Sequence, residues 1–297
     1  MLRPFIFAAS LSLFPTFAGG HNDVSETIRA LTSRLAENPS ARLYYQRATE
    51  FRALREKEHA IEDLRSALKL NPGFRAAKIS LIRELGKSDE ALAMATVYTT
   101  DHHNAGSGVE ATYLLTRVLH LRGENETALI LCKKIQDLSK NHEPGIDILH
   151  AEVLLDLQRP AMASRVLKDA WKRTNSIVLR NNWIDTALTA GETREVLPVI
   201  EKELSSSRFR SSWLIRRARA ALIHGDQEQA DSDLRAALAE LTPRIRPDRP
   251  DLTLIADRGL AHALLGQTPK AKADLSLLQK SSLPPSFYRL LTDTLDR

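Results

Sequence analysis

Seven positions punctuate the chain at a nearly constant interval, and they constrain its fold more than any other feature. Arg55, Gly86, Gly123, Gln158, Gly191, Gly225 and Gly266 are spaced 31, 37, 35, 33, 34 and 41 residues apart. Each is followed five residues later by a small or short apolar side chain: Ala60, Ala91, Ala128, Ala163, Val196, Ala230 and Ala271. Glycine tolerates the positive φ at which a helix ends, and a small residue just beyond lets the next helix pack closely on the first. A chain marked this way is a series of helical hairpins of about 34 residues. One such hairpin cannot bury its apolar face alone, so the series has to stack.

The stretch Ala41–Phe74 shows the unit most clearly. Tyr44, Ala48 and Phe51 recur at helical spacing and share a face, whereas Arg47, Glu50 and Arg52 are expected to point elsewhere. Ala60, Ile61, Leu64, Ala67 and Leu68 form a second stripe beyond the polar tetrad Arg55–Glu58. Asn71-Pro72 ends that second helix, because proline lacks an N–H and disfavours helix in the residue before it.

These residues resemble a tetratricopeptide repeat. Tyr44 and Phe51 stand at its aromatic places, Ala48 and Ala60 at its small ones, and Leu64, Ala67 and Pro72 complete the pattern; Arg47 replaces the usual Leu. The fourth and sixth units keep their small residues, with Ala151, Ala163 and Ala170 in one and Ala218, Ala221, Ala230 and Ala237 in the other. The fifth departs most, with Ile184 at a small place and Glu203 at an interior one, and looser packing is expected there. The resemblance implies an all-α fold, a right-handed superhelix of about seven hairpins with a capping helix at each end.

The chain order fits that reading. Residues 1–20 read as a secretory signal peptide: Met1-Leu2-Arg3, an apolar run from Phe5 to Phe14, then small residues allowing cleavage after Ala18 or Gly20. The run is too short to span a bilayer, so an exported, periplasmic or secreted protein without stable membrane insertion is expected. Residues 21–40, with Val24, Ile28, Leu31 and Leu35, form an N-terminal capping helix; 41–283 form the array; and 284–297, after Pro284-Pro285, form a C-terminal capping helix. Two segments break the rhythm. Thr99–Gly108 is polar and glycine-rich and reads as a flexible connection, while Thr242–Asp251, with three prolines and three arginines, is an inserted loop.

Composition excludes several classes. Aromatics are only 5%, charged residues 27%, and the net charge of +5 is spread rather than gathered into a basic stripe, which argues against a nucleic-acid partner. Cys132, the only cysteine, rules out an intramolecular disulfide and reads as a packed small hydrophobe. Gly106-Ser107-Gly108-Val109-Glu110-Ala111 matches a dinucleotide fingerprint in letters but follows a polar loop instead of a strand. Asn125-Glu126-Thr127 is a chance-level glycosylation sequon. No nucleophile elbow, zinc-protease helix or cysteine pair is present, so neither an enzyme nor a cofactor is indicated.

Two readings of function follow. In the first, what the repeat resemblance implies is a scaffold that binds a protein or peptide partner along the inner face, which is lined by the first helix of each pair. The matching places are Tyr45, Gln46 and Thr49 in the first unit, Tyr113 and Arg117 in the third, Asn181, Asn182 and Asp185 in the fifth, and Arg216 and Arg219 in the sixth. Asn182 with Arg216 and Arg219 resembles the Asn-plus-cation clamp by which some relatives grip a peptide's terminal carboxylate. In the second, His21, His102 and His103 bind a metal ion, with His21 offering amine and imidazole if cleavage falls after Gly20. Solvated histidines are the plainer account of the same residues.

Overall fold

Hairpins close where the sequence supplies a residue that turns left-handed. All seven punctuating residues do so, with φ between 58° at Gln158 and 80° at Gly123, and Arg55 takes 65° despite its side chain. At most of these bends the next N–H reaches back over the end of the helix: Glu56 N donates to Phe51 O at 2.9 Å, Glu192 N to Ala187 O at 2.8 Å and Asp226 N to Ala221 O at 2.9 Å. That bond satisfies a carbonyl the helix would otherwise leave open and fixes the direction of the returning chain. The seven small residues five positions later are all 0% exposed.

The computed structural model describes residues 20–102, 108–139, 143–248, 250–281 and 283–297, with the side chains of residues 20–23 excepted. Residues 1–19 of the expected signal peptide lie outside this set. Among the described residues the chain is all-α, without a strand. It divides into two units, Met1–Val153 and Leu154–Arg297.

The first unit holds α1 (Gly20–Glu37), α2 (Ala41–Ala53), α3 (Lys57–Leu70), α4 (Arg75–Leu85), α5 (Asp89–Asp101), α6 (Gly108–Leu121), α7 (Asn125–Leu138) and most of α8 (Pro144–Asp156). Leu31, Leu35 and Leu43 pack α1 onto α2. Ala48, Ala60, Leu64, Ala67, Ala77 and Leu81 form the core of the first hairpin and its seam with the second. The expected flexible connection at 99–108 is helical at both ends, since α5 runs to Asp101 and α6 starts at Gly108. Thr99 Oγ1 lies 2.8 Å from Ala95 O on its own helix and 3.0 Å from Ala111 O on α6, which ties the two helices together. Residues 103–107, including the start of the fingerprint-like run, lie outside the described set.

The second unit holds α9 (Pro160–Thr174), α10 (Ile177–Thr189), α11 (Leu197–Ser206), α12 (Ser211–Ile223), α13 (Gln227–Leu241), α14 (Leu252–Leu264), α15 (Thr268–Gln279) and α16 (Arg289–Leu295). The fifth hairpin is well filled where looseness was expected. Ile184, Val196 and Ile200 are each 0% exposed, and Trp171 stacks on Trp183 at 4.9 Å. Glu203 is tolerated because Arg180 donates to it at 2.7 Å.

Arg47 explains its own departure from the repeat pattern. It turns toward the hairpin instead of away from it, lies 5.8 Å from the Tyr44 ring and 5.7 Å from that of Phe51, and grips the buried Asp63 through Nε at 2.8 Å and Nη2 at 2.7 Å. Arg217 grips Asp233 in the same way, and Arg258 grips Asp274. In each case the arginine lies eight residues before the turn residue and the aspartate eight after it. The third hairpin has Leu115 and Leu131 at these places and the fifth has Trp183 and Val199. In these five hairpins the two arms thus carry either an ion pair or an apolar pair at this level, whereas the second has Lys78 and Met94 there and the fourth His150 and Val166.

Candidate functional site

The first helices of the last three hairpins repeat a two-place motif in the same register. Nine and six residues before the turn stand Asn182 and Asp185 on α10, Arg216 and Arg219 on α12, and Asp257 and Leu260 on α14. Places three apart on a helix share a face. All six side chains line one cavity of about 1010 Å³ in the second unit. The end of α8 and the segment from Pro285 to Arg297 complete its walls.

A charged knot sits on the cavity floor. Arg216 clasps Asp185 with both prongs, Nε to Oδ1 at 3.0 Å and Nη2 to Oδ2 at 2.6 Å. Arg219, only 7% exposed, donates Nη1 to Asp185 Oδ1 at 2.8 Å and Nη2 to Asp185 O at 2.9 Å, with Thr189 Oγ1 at 3.3 Å. Burial would raise the Asp185 carboxyl, but the two guanidinium groups outweigh it and hold the carboxyl below the usual range. Burial and the nearby Arg216 charge pull Arg219 down from its ordinary value, opposed by Asp185; a guanidinium stays protonated regardless. Arg216 is further fixed under the Trp213 ring, 4.8 Å from its centroid, with Arg180 at 5.5 Å from the same ring.

Asp257 differs from the other inner carboxylates. It lines the cavity yet makes no hydrogen bond or ion pair among the described residues, because the nearby Arg216 is already committed to Asp185. Burial pushes its carboxyl up to about 6, with Asp185 and Asp251 adding to the rise and Arg216 and Arg244 opposing it.

The last helix forms one side of the cavity. Leu291 of α16 is 1% exposed and belongs to the apolar cluster with Ile255, Ala271 and Leu278. It seats over Gly259, where an added Cβ would meet Leu291 Cδ2 at 2.8 Å and Asp274 Cβ at 3.0 Å. On its other side, Arg289 pairs with Asp156 at the end of α8 at 2.7 Å. The segment expected as a C-terminal cap therefore lines the cavity as well as covering α14.

Of the places singled out in the sequence, Asn182, Asp185, Arg216 and Arg219 come together here. Asn182 donates Nδ2 to Val178 O at 2.9 Å. Asn181, its neighbour on α10, is half-buried with Oδ1 unbonded and is not among the lining residues. The others belong to the first unit. Tyr45 rests 5.1 Å from the Phe74 ring and borders a shallow recess with Gln46 and Asn71, and Thr49 is exposed with its hydroxyl on Tyr45 O. Tyr113 is half-buried and Arg117 exposed. Asp257, Asp156 and Arg289 escaped sequence reasoning; the shared register of Asn182, Arg216 and Asp257 was the signal that could have found the first.

Among the described residues the histidines form no metal centre. His102 bonds Tyr98 O through Nδ1 at 2.9 Å and lies 4.2 Å from the Tyr98 ring, while His103 and the His21 side chain lie outside the described set. Among the described residues no group of three or more His, Cys, Asp or Glu side chains could hold a metal ion, and no helix is long and apolar enough to cross a membrane.

Fold and cavity together define a protein of stacked antiparallel helical hairpins whose first helices line a recess. No family model and no curated protein sequence matches the chain. Among solved structures it is similar to a tetratricopeptide repeat protein from Parabacteroides merdae ATCC 43184, with a TM-score of 0.55 and 15% identity over 75% of this chain and 88% of that one. The chain has the tetratricopeptide-repeat fold. YrrB, described as a TPR protein with an unusual peptide-binding site, matches at TM-score 0.39 and 16% identity over 71% of this chain and 92% of its own. The P58(IPK) TPR domain matches at TM-score 0.26 and 12% identity, covering 93% of each chain.

Proposed function

We propose that this protein is a non-enzymatic scaffold that holds an extended segment of a protein partner in the cavity of its second unit. The observation that carries the reading is the lining itself: three successive first helices present polar and charged side chains in one register to a recess with room for several residues of a peptide. Helix-lined recesses of this kind bind by placing a few polar groups among apolar walls. Asn182 and Thr186 supply donors and acceptors, and Ile215, Leu260 and Leu290 supply the apolar walls.

Ser212, a lining residue whose side chain makes no hydrogen bond among the described residues, offers a direct test. Ser212 lies one turn before Arg216 on the lining face of α12, so Ser212→Trp places an indole in the cavity beside the Asp185 knot. Partners captured by the wild-type protein and identified by mass spectrometry should be lost with Ser212→Trp and kept with Ile130→Trp, placed at an exposed position of the first unit. Equal capture by both variants would refute the cavity as the binding site.

Export belongs to the same proposal and is supported by residues 1–20 alone. Cleavage after Ala18 or Gly20 would leave α1 essentially whole. The mass of the protein recovered from the cells that make it checks this, since an uncleaved Met1 start would count against export.

A further inference from the structure

Cavity-lining charges do not cancel. Five aspartates and four arginines border the recess. Arg216 and Arg219 are both held by Asp185, a knot of net charge +1, and Arg289 pairs with Asp156. The side chains of Asp257, Asp293 and Asp296 are left without a hydrogen bond or ion pair among the described residues, against the guanidinium of Arg297, so the lining as a whole carries one excess negative charge. The sign is opposite to what Arg216 and Arg219 suggest when read as free cations. A carboxylate entering here would either have to displace Asp185 from a two-armed clasp or settle among unpaired carboxylates.

We propose that the bound segment carries a basic side chain and that Asp257 receives it. This rests on the reading of the cavity as a peptide site. Asp257 is suited to the role for three reasons. It stands in the same register as Asn182 and Arg216, so it faces the same ligand path. Its carboxylate has no internal cation to saturate it, because Trp213 and Asp185 hold Arg216 in place. Its partial enclosure makes the missing partner costly, and a lysine or arginine from a ligand would supply that partner in surroundings where charge pairing is stronger than in water. Asp293 and Asp296, exposed on and just after α16, extend the negative potential toward the rim, where it speeds encounter with a cationic segment.

An array of capped nonapeptides tests the assignment, with the central residue fixed as Arg, Lys, Glu or Leu and the flanking positions varied. It is probed with the full chain and with Asp257→Asn, Asp257→Glu and Ser212→Trp, each first shown by circular dichroism to keep its helicity. The expected result is binding to Arg- and Lys-centred peptides at least about tenfold above their Glu-centred counterparts. That preference should disappear in Asp257→Asn and persist in Asp257→Glu. A preference for Glu, or a basic preference that survives Asp257→Asn, overturns the inference. Binding that Ser212→Trp abolishes but that ignores charge also overturns it, while leaving the cavity reading intact. Absence of binding by every peptide removes both.

Discussion

Arg217 and Asp233 join the two arms of the sixth hairpin, and their removal one at a time should be far worse than their removal together. Asp233 is deeply buried, with a side chain only 4% exposed, and receives both prongs of Arg217 at 2.7 Å plus Gln229 Nε2 at 3.1 Å. Arg217 is 25% exposed and also reaches Glu201, with contacts of 3.3 and 3.4 Å. Arg217→Leu therefore strands a buried carboxylate that cannot reach water, at a cost of about 3–5 kcal/mol. Asp233→Leu strands a cation that can swing toward Glu201 and solvent, and should cost about 1–3 kcal/mol. The double replacement reproduces the Leu115/Leu131 pair already present at these places in the third hairpin. Replacing both charges leaves nothing unpaired, so the double variant should lie within about 1 kcal/mol of wild type or above it. Urea unfolding of the four proteins followed by circular dichroism measures the cycle. Additive losses, or an Asp233→Leu variant weaker than Arg217→Leu, would refute the reasoning.

Three further outcomes follow. Because the folded protein raises Asp257 to about 6 against an unfolded value near 3.9, the charged form costs stability that is absent below about pH 4, grows as pH rises to about 6 and is constant above it. With Arg216, Asp185, Asp251 and Arg244 as the neighbouring charges, Asp257→Asn should gain about 1–3 kcal/mol at pH 8 and almost nothing at pH 4, read from urea midpoints; a gain independent of pH would contradict this. Gln158 holds φ at 58° where glycine would be unstrained, so Gln158→Gly should stabilise by up to about 1 kcal/mol in thermal unfolding despite its cost in the unfolded chain, and a clear loss would show that the side chain contributes more than the backbone strain costs. Arg289→Asp should speed amide exchange in α16, and Asp156→Arg added to it should restore protection; failure of the second change to rescue the first would exclude the pair as what holds that helix.

Backbone course was legible because its determinants are local. A left-handed bend needs only a residue able to adopt it, and close packing of two arms needs only a small side chain at a fixed distance from that bend, so Gly123 with Ala128 or Gly225 with Ala230 reveals both in one line of sequence. The Arg47–Asp63 pair is also separated by a fixed interval, but its two members lie on different helices, and amphipathic periodicity assigns an arginine to the outside. Asp185 posed a harder problem. Its partners are on the next hairpin, 31 and 34 residues away, and which first-helix side chains meet laterally depends on the stagger between hairpins. Arg216 and Arg219 consequently looked like free cations, and the neutralising carboxylate was counted as one more independent contact.

The two kinds of charge in the second unit have different physical origins. Arg217–Asp233 and Arg258–Asp274 are closed accounts within single hairpins, each carboxylate enclosed and doubly bonded, and an apolar pair does the same job elsewhere in the chain. The inner-face set differs, since Asp185 takes two arginines while Asp257, two hairpins further on, takes none. Folding alone would favour moving one of those arginines to Asp257 or making Asp257 neutral, because an enclosed carboxylate without a partner opposes the folded state. A residue that costs stability at the lining of a recess, in register with the other lining residues, is what a site for an external cation requires. The stability gained by Asp257→Asn and the peptide preference lost by it are therefore two measurements of one missing ion pair, and they should appear in the same variant or in neither.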